Sequence, residues 1–331
     1  MAIKKEDYLF QSALIRAREA RMLTREKAER MIDAATFGEA AKMLTDCGYK
    51  DMSDMSAKEV EQALNDRRAA EFDEMSRMTP DKRFVDVFRM KYDYHNAKTL
   101  IKSEAEGIDR SDLMSPSGRV TPEAMTAAFQ EDRYTDLPPA LGEAVVQAKS
   151  TLARTGNPQL SDFILDRAYF AELADDADKL QSSFLAGYVR IMIDSANLRS
   201  CVRTMRMHKD ADFLRTALIP GGNVGEDRLV SASVTGEGLA GLFTSSLLDN
   251  AAGLGAAAAA GGTLTKFELA CDNAVTSYLT GAKMVAFGEE PVIAYLAALE
   301  GEITALRMIL TGRLAGIQPE IIRERLRDLY A

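Results

Sequence analysis

Along most of the chain, apolar residues recur every three or four positions rather than every second one, which is the spacing of a helix with a buried face. In YLFQSALIRAREARML, Leu9, Ala13 and Ala17 fall four apart, and Phe10 and Leu14 follow the same face. FLAGYVRIMIDSANLRSCVRTMRM (184–207) and PVIAYLAALEGEITALRMILTGRL (291–314) read the same way, each long enough for about six turns. Helix starts are well marked. Thr24 precedes a charged first turn, Thr121 stands before Pro122, and Pro319 follows Gln318; proline at a first helical position loses no hydrogen bond, because that N–H has no partner in the helix. Alternation is nearly absent, and DRLVSASV (227–234) is the best strand candidate. GLGAAAAAGG (253–262) is ambiguous: alanines favour helix, but glycine costs about 1 kcal/mol inside one, so the segment reads as a surface loop or a short frayed helix.

The helical pattern contains a repeat. DYHNAK (93–98), DSANLR (194–199) and EITALR (302–307) each open on an acid and close on a base: Asp93 with Lys98, Asp194 with Arg199, Glu302 with Arg307. Their fourth positions are Asn96, Asn197 and Ala305. Upstream, EQALND (61–66), DFILDR (162–167) and ELACDN (268–273) share an acid followed by Asn65, Asp166 and Asp272. Asn65 to Asp93 spans 28 residues, Asp166 to Asp194 spans 28 and Asp272 to Glu302 spans 30. QSALIR (11–16) is a half copy with Arg16 at the basic position, and helix starts follow at 24–26, 121–123, 225–227 and 318–320. The expectation is an all-α chain of three similar helical domains in tandem, near 1–115, 116–222 and 223–331, whose first and last helices pack together. The eleven signature residues read as structural, with the acid of one long helix set against the base of the other in each hairpin.

Candidate chemistry is sparse. KYDYHNAKTL (91–100) resembles an active site, but His95 aligns with Ala196 and Thr304 while the acid and base around it recur, so a structural role explains all three copies. His208, among charges in RMHKD, reads as a solvated helix-end residue. Neither histidine has a second histidine four residues on or a cysteine nearby, so no metal site is expected. Cys47, Cys201 and Cys271 are far apart and odd in number, which disfavours a disulfide framework. GEGLAG (236–241) matches a dinucleotide fingerprint in letters only, because no strand–helix alternation surrounds it. No phosphate-cradling loop, nucleophile elbow or zinc-protease motif occurs, so catalytic residues and cofactors are expected to be none.

Charge and composition narrow the partners. A net charge of −9 with no basic cluster argues against nucleic acid. MAIKKEDYLF has no apolar stretch after its lysines, and no apolar run reaches about 18 residues, so neither a secretory signal nor direct membrane insertion is expected. The 16 methionines on helical stripes read as adaptable core.

The segments ALIRAREARMLTREKAERMID with FGEAAKMLTDCGY, FRMKYDYHNAKTLIKSEAEG, FLAGYVRIMIDSANLRSCVRTMR and FGEEPVIAYLAALEGEITALRMILTGRLAGIQPEIIRERLRDLY occur in that order. Together they resemble the C subunit of V-type (archaeal and bacterial A/V-type) ATPases and ATP synthases, the family to which the d subunit of eukaryotic V-ATPases belongs. The resemblance covers nearly the whole chain. It implies a funnel of three helical domains with pseudo-threefold symmetry, acting as a non-catalytic socket between the central stalk of the soluble head and the membrane proteolipid ring. One copy per complex is implied, on the cytoplasmic side of the membrane, transmitting torque for ATP-coupled proton or sodium transport. The Ala/Gly stretch at 251–262 departs from the family's usual polar connection. The charged loops 102–112 and 206–212 are the candidate contact surfaces. The repeat taken alone also allows a helical scaffold or adaptor of another complex, against which the length and order of the matched segments argue.

Overall fold

The computed structural model describes residues 3–235 and 238–331. Fifteen α-helices occur among them, and no strand does. In chain order they are α1 (Leu9–Glu19), α2 (Arg25–Asp33), α3 (Phe37–Lys42), α4 (Ala57–Met78), α5 (Arg83–Glu106), α6 (Pro122–Gln130), α7 (Pro139–Thr155), α8 (Pro158–Leu180), α9 (Ser183–Arg206), α10 (Ala211–Ala217), α11 (Glu226–Thr235), α12 (Asp249–Ala259), α13 (Leu264–Leu279), α14 (Glu289–Leu314) and α15 (Pro319–Arg325). The expected all-α class is therefore observed. The helix starts follow the sequence signals: Thr24 accepts from the Lys27 N–H, Thr121 accepts from the Ala124 N–H ahead of Pro122, and Pro319 opens α15.

The chain forms two compact units, one of residues up to 85 together with 264–331, the other of residues 86–263. In the first, α14 is the central element. Val292, Ile293, Leu296, Ile303, Leu306, Ile309 and Leu310 are all essentially inaccessible. It packs along α4 and also meets α1, α2, α3, α13 and α15. A helix apolar on most of its circumference is stable only when surrounded in this way. The two ends of the chain share this unit: Arg323 of α15 pairs with Glu29 and Asp33 of α2.

The second unit is built on α7, α8 and α9, joined by tight turns. Gly156, in the left-handed region at φ 63°, ends α7, and the Asn157 side chain caps α8. Ser182 caps α9 in the same way. Helices α10, α11 and α12 pack against α9.

Two expectations fail here. The strand candidate DRLVSASV lies in α11, where Leu229, Val230 and Ala232 are buried against neighbouring helices. Eight residues of mixed alternation do not fix a period, and Glu226 and Asp227 supply the acidic first turn of a helix. The Ala/Gly stretch is a packed helix rather than a loop or frayed end: Ala251, Ala252 and Ala258 of α12 are buried, and the helix meets α9. Small side chains allow close approach, and the Arg206 guanidinium donates to the carbonyls of Ala258, in the last turn of α12, and Gly262, just beyond it. The first two residues of GEGLAG lie outside the described residues; Ala240–Phe243 form a short 3-10 turn.

Candidate functional site

The repeated acids converge on one task. Each sits mid-helix, is almost fully buried, and accepts the backbone N–H of the residue just before the N-cap of another helix. On α5, Asp93 Oδ1 accepts from the N–H groups of Arg119 (2.8 Å) and Val120 (3.0 Å), ahead of the Thr121 cap of α6. On α9, Asp194 Oδ1 accepts from the Val224 N–H (3.2 Å), two residues before α11 begins. On α14, Glu302 Oε2 accepts from the Leu23 N–H (2.6 Å), ahead of the Thr24 cap of α2. The third copy thus reaches back to the helix start at 24–26, not forward to the one at 318–320.

The repeated asparagines do the companion task. Asn96 accepts from the Ser115 N–H (2.8 Å) and donates to the Ser115 carbonyl (2.9 Å). Asn197 makes the same pair with Ile219, at 2.8 Å each way. A side-chain amide satisfies both peptide groups of a buried residue, which apolar packing cannot. Ala305, with no such group, is simply buried.

Two loops are therefore clasped at both ends, and they match each other in sequence outside the helical signatures. SPSGRVTPE (115–123) and IPGGNVGED (219–227) share Pro116 with Pro220, Gly118 with Gly222 and Val120 with Val224. The glycines are needed for approach, since a Cβ on Gly118 would overlap Asp93 Oδ1 and one on Gly222 would overlap Asp194 Oδ1.

The surroundings of the clasps differ. Asp93 Oδ2 also takes the Arg119 Nε (2.6 Å), and Arg119 continues to Glu172 of α8 (2.7 Å), which accepts from the Tyr94 hydroxyl (2.8 Å). Asp194 Oδ2 takes the Asn223 side-chain amide instead (2.8 Å). Glu302 takes the Tyr49 hydroxyl (2.6 Å). Burial pushes all three carboxyls above their ordinary values, against the pull of the groups that donate to them.

Two of the basic positions, Lys98 and Arg307, pair with a helix of another copy. Lys98 of α5 meets Asp166 of α8 (2.5 Å), and Lys102 meets Asp162 (2.8 Å). Arg307 of α14 grips Glu61 of α4 through two nitrogens (2.6 and 2.8 Å). Asn65 accepts from Arg68 one turn along α4, Asp272 accepts from Arg327, and Arg199 donates to Ser195 Oγ (2.8 Å). Asp93, Asp194 and Glu302 are engaged by backbone donors, and Lys98 reaches a helix of the next copy. Arg16 of the half copy donates to the carbonyls of Ala282 and Val285.

His95 is exposed, with Nε2 3.0 Å from the Leu113 carbonyl, and His208 is exposed in the left-handed region just beyond α9. The segments expected as loops are partly helical: 102–106 end α5, where Ser103 Oγ donates to the Ile108 carbonyl, and in 206–212 Arg206 ends α9 and Asp210 caps α10, which begins at Ala211. Among the described residues no cluster of three metal-ligating side chains occurs, and no helix is long and apolar enough to cross a membrane.

Residues 11–325 match the family described as ATP synthase (C/AC39) subunit. The chain is 26% identical to the C subunit of the V-type sodium ATPase of Enterococcus hirae, over 96% of this chain and 97% of that protein. It is 27% identical to the C subunit of the A-type ATP synthase of Halobacterium salinarum, over 97% of each. With the corresponding A-type ATP synthase protein of Thermococcus kodakarensis it shares 25% identity over 69% of this chain and 65% of that protein. All the residues of the three clasps lie inside the matched span, and the chain belongs to the ATP synthase (C/AC39) subunit family of rotary ATPases.

Proposed function

We propose that this chain is the non-catalytic coupling piece of a V/A-type rotary ATPase: a socket that receives the central stalk of the soluble head, rests on the proteolipid ring at the cytoplasmic face of the membrane, and turns with both. The observation that carries this reading is the family match over 11–325. The physical case comes from the clasps. A torque-bearing part must resist shear between its helices. Helix-start loops tied by buried charge-assisted hydrogen bonds do so better than loops held by apolar contact alone, because such bonds fix direction as well as distance. Three similar helical domains in a pseudo-threefold funnel, one copy per complex, belong to the same proposal. Its stalk and ring contacts would include the charged loops 102–112 and 206–212. Nucleotide binding and hydrolysis are left to the head.

Mixing the purified chain with its own organism's stalk proteins and detergent-solubilised ring, followed by native mass spectrometry, tests the reading. One copy bridging stalk and ring is expected. A folded chain that binds neither would leave a helical adaptor for some other assembly.

A further inference from the structure

Helices α7 and α8 leave an open groove along one side of their hairpin. Two residues join them, so they run antiparallel. The groove has a volume of about 780 Å³ and is lined by Ile164, Ala168 and Ala171 of α8, Ala140 of α7 and Pro220. Past Glu143 and Gln147 it continues into a second hollow of about 530 Å³ that takes in Leu137 and Val146. Val146 is 51% exposed. From Ile164 to Asp175 the groove runs about 17 Å, or three turns of helix. Side chains as small as alanine let a helix backbone come close, so the groove fits a rod of that length.

One end of the groove is acidic. The last ten residues of α8, AELADDADKL (171–180), hold four acids and one base. Glu172 and Asp175 line the groove, and so does the exposed Glu143 of α7. Glu172 takes Arg119 and the Tyr94 hydroxyl. Asp175 pairs with Lys179, but both side chains are well exposed, and solvent screens such a pair. Glu172 and Asp176 stand four residues apart, a like-charge spacing that destabilises a helix, and acids near its C-terminus also oppose its field. Burial and the Glu172 charge hold the Asp176 carboxyl above its ordinary value. Toward the other end, Arg167 is engaged by the carbonyls of Leu218 and Arg215. The acids thus cost α8 stability, and cations brought to them would relieve it. A second copy of the chain would set acid against acid, and an anionic lipid surface would be repelled in the same way.

We propose that the α7–α8 groove is a docking site for a cationic amphipathic helix of another protein, with its apolar face on Ile164, Ala168 and Ala171 and its lysines or arginines at Glu143, Glu172 and Asp175. Apolar contact in the groove supplies the affinity. The acids set the direction in which the helix lies, because one end of the groove carries them, and their contribution weakens with salt. The site is defined by the groove and its charges alone, so it stands independently of the coupling role.

The probe is a synthetic helix of leucine, alanine and lysine with its leucines on one face, compared with the same peptide carrying glutamate for lysine. Fluorescence anisotropy with the full chain should show the lysine peptide bound about tenfold or more tighter than the glutamate peptide, and less tightly as salt rises. Hydrogen exchange should slow in peptides covering 139–147 and 164–175. Ala171→Arg, at an exposed position, should weaken binding about tenfold by filling the groove and adding a like charge. Glu143→Gln with Asp175→Asn should weaken it about three- to tenfold and flatten the salt dependence. Asp46→Asn with Asp54→Asn removes the same charge from exposed positions elsewhere and should leave binding unchanged. Binding that the Asp46 and Asp54 pair weakens equally, or that Ala171→Arg leaves intact, is attraction to an acidic chain in general and would overturn the site. Failure of the lysine peptide to bind would do the same. A dimer of the chain that Ala171→Arg dissociates would give the groove to a second copy and overturn it too.

Discussion

Loops 115–121 and 219–225 solve one problem with different chemistry. Each leads into a new helix start, and each is held by an acid and an asparagine three residues apart on a long helix earlier in the chain. The first acid lies in an ion-pair chain that runs through Arg119 to Glu172 and Tyr94; the second has a neutral amide in place of the guanidinium. The repeat therefore keeps the hydrogen-bond acceptor and the close approach, not the charge partner. Acceptance of backbone N–H groups shapes the loop, and the ion pair is an addition to one copy.

That distinction can be broken by substitution. Asp93→Ala carries the largest expected cost, about 3–5 kcal/mol, because it leaves a half-buried guanidinium with half its partners and two N–H groups with none. Asp194→Ala should cost about 1–3 kcal/mol, since a backbone N–H and a neutral amide lose their acceptor. If urea or thermal unfolding shows equal losses, the ion pair contributes nothing beyond the shared hydrogen bonds. Gly118→Ala and Gly222→Ala should each cost about 1–3 kcal/mol, because the new methyl must displace the clasping carboxylate. A neutral result at either would show that close approach is not required. Asn96→Ala and Asn197→Ala should be alike, at roughly 1–3 kcal/mol each, as both strip one buried residue of its two bonds. The smallest effect is expected from Lys98→Ala, under about 1 kcal/mol, because Asp166 is well exposed to solvent.

The spacing of the acids and asparagines is legible in the sequence, but what they hold is not. Their partners at 119, 120, 115, 219, 224 and 23 are backbone groups, and a backbone N–H leaves no mark on the residue that carries it. The legible trace is in the loops, where Pro, Gly and Val recur two residues apart at 116, 118, 120 and at 220, 222, 224. Aligning only the helices passes over it. The basic residues are legible as a pattern, but Lys98 and Arg307 find partners on another copy's helix, which hairpin logic does not reach: Lys98 finds Asp166, and Arg307 finds Glu61. The same limit explains α11 and α12. Each is short, and its helicity rests on packing against α9, which a local window does not contain. The long helices α5, α9 and α14 are readable because six or seven turns of apolar spacing leave no competing period.

The coupling role is tested most directly in the assembled machine. The complex would be reconstituted in sealed vesicles with and without this chain, and ATP hydrolysis and ion uptake measured in the same samples. Without the chain, hydrolysis by the head should continue while uptake is lost; adding the purified chain should restore uptake. Full ATP-driven uptake in its absence would contradict the account.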